Sequence, residues 1–471
     1  ELRTQLCALA EQALMAYEAR EACTLDDAEA HAAAHAAFAH ARPALLRPLL
    51  AIGRADRAFA LAEHHRDFHT LVELCFADAH EEKEDAKRIK LMQAPPPAAV
   101  VRVEAYLDTY GMDFANELYQ HYIRHGALRR LMEPQPQHAA LVSAFLDAHP
   151  QYGRLAWVHD TALGAYDHAR HTLRSTADAE RLDVEAKQRM LSLGKLMHLA
   201  TLPRMDDALA PAQQAALEAW DDALDLGHIQ HRLHQRWSDA AWIDAQTPPE
   251  AQAEAIASAV APLLSERPAL RMLFVSLARD VMAGLVVGGE DMMDLLTLTD
   301  RSFAAPPEAP LTDLAIAAQV FVRLDTPTPA RREAALASLW RRLFLMDDWE
   351  ALSDTTSMTD DQVLHNVQGT VAFHTLQSVL ADASTASTLM APESVCALPP
   401  PSVSLLAERL QGLPDAHIEA IHAALQDEHE ALVHIVRHTK LSAYFAHILS
   451  VRDDIVPEDE ALMPGASDMV L

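Results

Sequence analysis

Apolar residues recur along this chain at helical spacing, in stretches one helix long, and clusters of proline interrupt them. Phe68, Leu71, Val72 and Cys75 fall at i, i+3, i+4 and i+7, as do Leu336, Leu339, Trp340 and Leu343. Leu441, Tyr444, Phe445 and Ile448 repeat the pattern, and Phe114, Leu118 and Tyr122 form another stripe. This spacing places each set on one side of an α-helix, and that side needs a neighbour to cover it. The breaks lie at Pro95 to Pro97, Pro134 and Pro136, Pro248 and Pro249, Pro306, Pro307 and Pro310, and Pro399 to Pro401. Proline has no N–H to donate and disfavours α geometry in the residue before it, so each cluster marks a helix boundary. Thr24 followed by Asp27 reads as a capping-box-like start to an alanine-rich helix ending near His40.

Only 13 of the 471 residues are glycine, and runs of strand-favouring residues are scarce. The chain therefore reads as all-α. Pairs or small groups of helices between breaks are the layout of an irregular α-helical solenoid, built from stacked helix pairs. No fixed period of about 34 or 40 residues is present, which sets aside a regular repeat array. Pro203 and Pro211 flank an acidic patch, so the expected domains are a helical stack over 1–210 and a C-terminal helical block over 211–471. A His-rich helix carrying His228, His231 and His234 follows that patch, and residues 456–471 are expected to fray.

Charge narrows the partners. With Lys+Arg 38 against Asp+Glu 68, the net charge is −30. A bare nucleic acid needs a basic stripe and an anionic lipid surface attracts one, so neither direct contact is expected. No apolar stretch approaches the roughly 20 residues that span a bilayer. The chain begins Glu1-Leu2-Arg3, without an initiator Met or a signal-peptide pattern, and reads as an excised fragment. Cys7, Cys23, Cys75 and Cys396 are far apart with no Cys-x-x-Cys pair, so they read as small apolar side chains in a reducing compartment.

The strongest enzymatic candidate is Asp221-Asp222-Ala223-Leu224-Asp225. Acids at i, i+1 and i+4 of a helix can hold Mg²⁺ on a diphosphate, as in all-α prenyl diphosphate enzymes. The ordinary alternative is a solvated acidic face. A second metal motif and a basic diphosphate clamp are both missing, so the run does not complete such a site. His31 with His35, and His434 with His438, are each one turn apart and could offer two metal ligands, but spacing supplies no third. Gly194-Lys195 lacks the upstream glycines of a phosphate loop, and no Gly-x-Ser-x-Gly elbow occurs. The sequence calls for no catalytic residue, metal or cofactor. It does not read as an enzyme.

One helix stands apart, around residues 182–200. At about 100° per residue Met190, Leu193, Leu196 and Met197 share a face, while Leu191 and Leu199 fall roughly opposite. A helix apolar all round is either a central buried helix or one covered by another protein. Lys195 beside the stripe can lay its stem on apolar surface and present its ammonium to a partner's carboxylate, with Arg189 at the rim. Gly194 costs the helix about 1 kcal/mol relative to a better helix former.

Six segments, in order, resemble the stem-tip nucleoporins of the nuclear pore's Y-shaped complex, the nucleoporin one-thirty-three family. They are Leu61-Ala62-Glu63-His64-His65-Arg66-Asp67-Phe68 through Leu71-Val72-Glu73-Leu74-Cys75, Asp113-Phe114-Ala115-Asn116-Glu117-Leu118-Tyr119, and Leu141 to His149. Leu155-Ala156-Trp157-Val158-His159-Asp160, Asp167 to Leu173, and Leu191-Ser192-Leu193-Gly194-Lys195-Leu196 complete the series, with a later echo at Leu339-Trp340-Arg341-Arg342-Leu343-Phe344 and Asp347-Asp348-Trp349. The resemblance implies the helical carboxy-terminal part of a larger subunit, without that family's amino-terminal β-propeller. It implies tail-to-tail docking on the neighbouring stem nucleoporin (nucleoporin one-oh-seven or its yeast equivalent). Leu193 and Lys195 would take the apolar and basic contact positions, with Lys187 or Arg189 upstream. The partner-binding set is then Lys187, Arg189, Met190, Leu193, Lys195, Leu196 and Met197. A helical coat or tether subunit of another trafficking assembly is the competing scaffold.

Overall fold

The computed structural model describes residues 2–24, 27–76, 97–133, 135–202, 210–240, 243, 246–300, 311–326, 328–354 and 358–453. Among them there are helices and connecting turns and no strand. The fold is all-α. No helix among the described residues is long and apolar enough to cross a membrane.

Prolines open helices where the missing N–H costs nothing. Pro97, Pro211, Pro249, Pro268, Pro329 and Pro392 each stand at the first position of one. Pro136 opens a short 3₁₀ turn, and Pro399 to Pro401 separate two helices. Pro95, Pro96, Pro134, Pro203, Pro306, Pro307, Pro310 and the tail 456–471 lie outside the described residues. The alanine-rich helix corrects the expected end near His40, because it runs Ala28–Ala51 with Pro43 and Pro48 inside it. Each of these prolines removes a single intrahelical hydrogen bond, and Phe38, Leu46 and Leu49, all buried, keep one face in the core across them. Its cap is Asp27 alone, accepting from the N–H of Glu29 and Ala30 at 3.1 and 3.2 Å, while Thr24 donates back to the Glu21 carbonyl at 2.9 Å.

The chain forms two compact units, one of residues 1–176 with 197–201 and one of 177–196 with 202–471. In the first, helices stack in chain order. Leu2–Cys23 packs on Ala28–Ala51, that helix on Ala55–His64, and that on Phe68–Cys75; Met112–Arg124 then bridges Phe68–Cys75 and Ala139–Ala148. Each helix buries a stripe between its neighbours, with Leu71, Phe114, Leu131, Val142 and Phe145 fully enclosed. This is the nearest-neighbour logic of a solenoid.

The second unit is knitted differently. Pro329–Leu345 lies against Gly289–Thr297, Asp313–Val322, Val371–Ala381, Pro392–Ala397 and Asp415–His438. The long Asp415–His438 helix also returns to Pro268–Met282. Trp340, Phe344 and Trp349 are fully buried there, and so is Arg341. Arg342 is enclosed too, its guanidinium 2.6 Å from Asp294 and 3.3 Å from Glu428. Burial alone would push the Asp294 carboxyl up, but Arg409 and Arg342 beside it outweigh that and hold it below its ordinary value.

Candidate docking helix

The helix that the sequence singles out spans Val184–Thr201. Its start is pinned twice. The Val184 N–H donates to the Gly284 carbonyl and the Val286 N–H to the Arg181 carbonyl, both at 3.0 Å. Asp183 caps it by accepting from the Ala186 N–H at 2.9 Å.

One side of the helix is sealed and the other open. Met190, Leu191, Gly194 and His198 are buried, whereas Arg189, Ser192, Leu196, Leu199 and Ala200 are exposed. Leu193, Lys195, Met197 and Lys187 lie between these extremes. The four residues expected on one face are thus divided by the packing: Met190 turns inward, while Leu196 is 58 % exposed. Leu199, expected opposite, is 45 % exposed. A leucine exposed to that extent is common on any surface; two within four residues, beside half-covered Leu193, make an apolar patch.

The sealed side is defined by glycines. A Cβ added at Gly194 would stand 2.6 Å from Cζ3 of Trp220, on the Pro211–Ser238 helix. A Cβ at Gly227 of that second helix would stand 2.7 Å from Nε2 of Gln188 on the first. Each helix therefore seats a side chain of the other where its own is missing. This reciprocal packing fixes the register of the pair, and with it the residues one step along.

That register sets Lys195 against Asp221, and the two form an ion pair. The same helix turns Asp222 and Asp225 to Arg323, at 3.5 and 2.8 Å. Burial first, with Asp225, Glu218 and Asp221 nearby, pushes the Asp222 carboxyl up against the opposing pull of Arg323. The three acids considered for Mg²⁺ are thus each engaged by a cation of the chain itself. Among the described residues no group of three or more His, Cys, Asp or Glu side chains is placed to hold a metal ion. His35 contacts Glu21 at 2.6 Å, and the His434 and His438 rings lie tilted against each other with centroids 4.2 Å apart.

Arg189 sits loosely between Asp183 at 3.7 Å and Glu185 at 3.5 Å. Sequence reasoning missed Asp221 as the mate of Lys195 and Trp220 as the reason for Gly194. A glycine inside a strongly apolar helix was the available signal, since it often marks the close approach of another element.

Residues 1–447 match the family model described as non-repetitive/WGA-negative nucleoporin C-terminal. Nucleoporin nup132 of Schizosaccharomyces pombe is 25 % identical over 394 residues, covering 80 % of this chain and 31 % of that protein. Nuclear pore complex protein Nup133 of Danio rerio is 31 % identical over 166 residues, 35 % of this chain and 13 % of that protein. The chain therefore spans about a third or less of the relatives it matches. A crystal structure of the Chaetomium thermophilum Nup170 CTD covers 98 % of this chain and 96 % of its own, with 14 % identity and a TM-score of 0.30. The match across 1–447, on an all-helical fold, establishes that this chain belongs to the non-repetitive/WGA-negative nucleoporin C-terminal family.

Proposed function

We propose that this chain docks tail-to-tail on the neighbouring stem nucleoporin of the Y complex (nucleoporin one-oh-seven or its yeast equivalent) through the Val184–Thr201 helix. Its broader role is that of a nuclear pore scaffold, located at the pore in the nuclear envelope. Leu193 and Leu196 form the apolar centre of the contact, and Arg189 and Lys195 stand at its rim. Met190, although on the expected face, supports the helix from within.

The observation that carries this reading is the exposure of Leu196 beside half-covered Leu193, on a helix whose other side is sealed by Leu191, Gly194 and Trp220. Covering a leucine side chain is worth about 1.5–3 kcal/mol, enough for two such residues to anchor an interface. The test is a calorimetric titration of the chain with the partner's carboxy-terminal helical segment. Leu196→Glu and Leu193→Glu are expected to weaken binding more than about tenfold while leaving circular dichroism and melting unchanged. Retained binding in both variants would overturn the reading.

A further inference from the structure

We propose that Asp221 is an internal competitor for Lys195, so that docking proceeds as an exchange of ion pairs. Lys195 leaves Asp221 and takes a carboxylate on the partner's docking helix. The inference rests on the assignment of Val184–Thr201 as the docking helix.

Four observations lead to it. Lys195 adjoins Leu196, the exposed centre of the patch, so its ammonium lies within reach of whatever covers that leucine. The ammonium is already held by Asp221, and the glycine-seated packing of Gly194 against Trp220 places those two residues directly across from each other. The pair is open to water, with side-chain exposures of 27 % for Lys195 and 53 % for Asp221, so breaking it is cheap. Asp222 and Asp225 face Arg323 instead, which leaves Asp221 as the acid of this run that pairs with Lys195.

A chain of net charge −30 gains from keeping such a cation quenched until a shaped partner arrives. An unpaired lysine would attract any acidic surface. Beside an exposed leucine, only a helix that fits the leucine and carries an acid at its edge regains what the exchange gives up.

The test titrates the chain, at low and moderate salt, with the helical carboxy-terminal segment of the neighbouring stem nucleoporin. Asp221→Asn is expected to tighten binding by about threefold to fivefold, because one exposed pair no longer has to be broken. It should also steepen the salt dependence, since binding then creates an ion pair instead of trading one. Both effects should vanish in Asp221→Asn with Lys195→Gln. A gain that survives Lys195→Gln, or no gain, overturns the exchange. Leu196→Glu in each background reports on the docking assignment separately; if binding survives it, that assignment falls and the exchange falls with it. A partner-free readout is acylation of lysine side chains followed by mass spectrometry. Lys195 should label faster in Asp221→Asn relative to Lys187, and an unchanged ratio would show that no internal pair exists to exchange.

Discussion

The indole of Trp220 occupies the space that a side chain at position 194 would fill, with Cζ3 2.6 Å from where a Cβ on Gly194 would stand and Cη2 closer still. A helical glycine ordinarily weakens its helix by about 1 kcal/mol relative to alanine. Here that loss is offset by the burial of a tryptophan and by the register it imposes on Lys195 and Asp221.

Gly194→Ala therefore destabilises the protein in spite of its better helix propensity. The expected loss is about 1–3 kcal/mol, read from the midpoint of urea unfolding. Trp220→Leu makes room, so the two substitutions together should cost less than the sum of their separate effects. Strict additivity would mean that the two residues do not pack as described.

The two sides of the Val184–Thr201 helix respond oppositely to truncation. Leu191 is 1 % exposed, and Leu191→Ala should cost about 2–4 kcal/mol of stability. Leu196→Ala should change stability by no more than about 0.5 kcal/mol. Thermal melts of the two variants give the comparison, and similar losses would show that Leu196 belongs to the core.

Arg342 is the keystone of an enclosed ionic network in the second unit. It reaches Asp294 at 2.6 Å and Glu428 at 3.3 Å; Arg267 reaches Glu428 at 3.1 Å, and Arg409 also pairs with Asp294. Arg342→Met keeps the volume but leaves buried carboxylates short of a cation, which should cost about 3–5 kcal/mol in denaturant unfolding. The sign with pH follows from Asp294. Its carboxyl is held below its ordinary value, so its contribution is present above the unfolded carboxylate pKa of about 4 and is lost as pH falls through the lower folded one.

His198 introduces a second pH dependence. It is buried, and neither ring nitrogen has a hydrogen-bond partner. Burial first, then Arg170 nearby, pushes its pKa down, so the unfolded chain binds this proton more readily than the folded one. Stability contributed here is full at neutral pH and falls as pH drops below the ordinary histidine value of about 6.5. His198→Leu should flatten the stability profile between about pH 6.5 and 5, followed by chemical denaturation at stepped pH. An unaltered slope would mean that His198 titrates as it does in the unfolded chain.

Much of the architecture was legible before any coordinates. Repeats such as Leu339, Trp340 and Leu343 name the buried face of a helix directly, because helical geometry is local and three or four residues suffice to show it. Proline could be read as a boundary signal for the same reason, since its lost N–H matters only to residues within a turn. The end expected near His40 fell short because the burial of Phe38, Leu46 and Leu49 by other helices carries the helix on through Pro43 and Pro48, and burial is not a local property. The same limit hid the role of Asp221-Asp222-Ala223-Leu224-Asp225, whose carboxylates look available for metal until Lys195 and Arg323 are brought to them from distant parts of the chain. By itself, then, the sequence determined that this protein is built of helices and which helix has more apolar surface than one face can hide. Which part of that surface stays exposed was decided only when Trp220 met Gly194, because side chains remote in the chain compete for the same space only once it has folded.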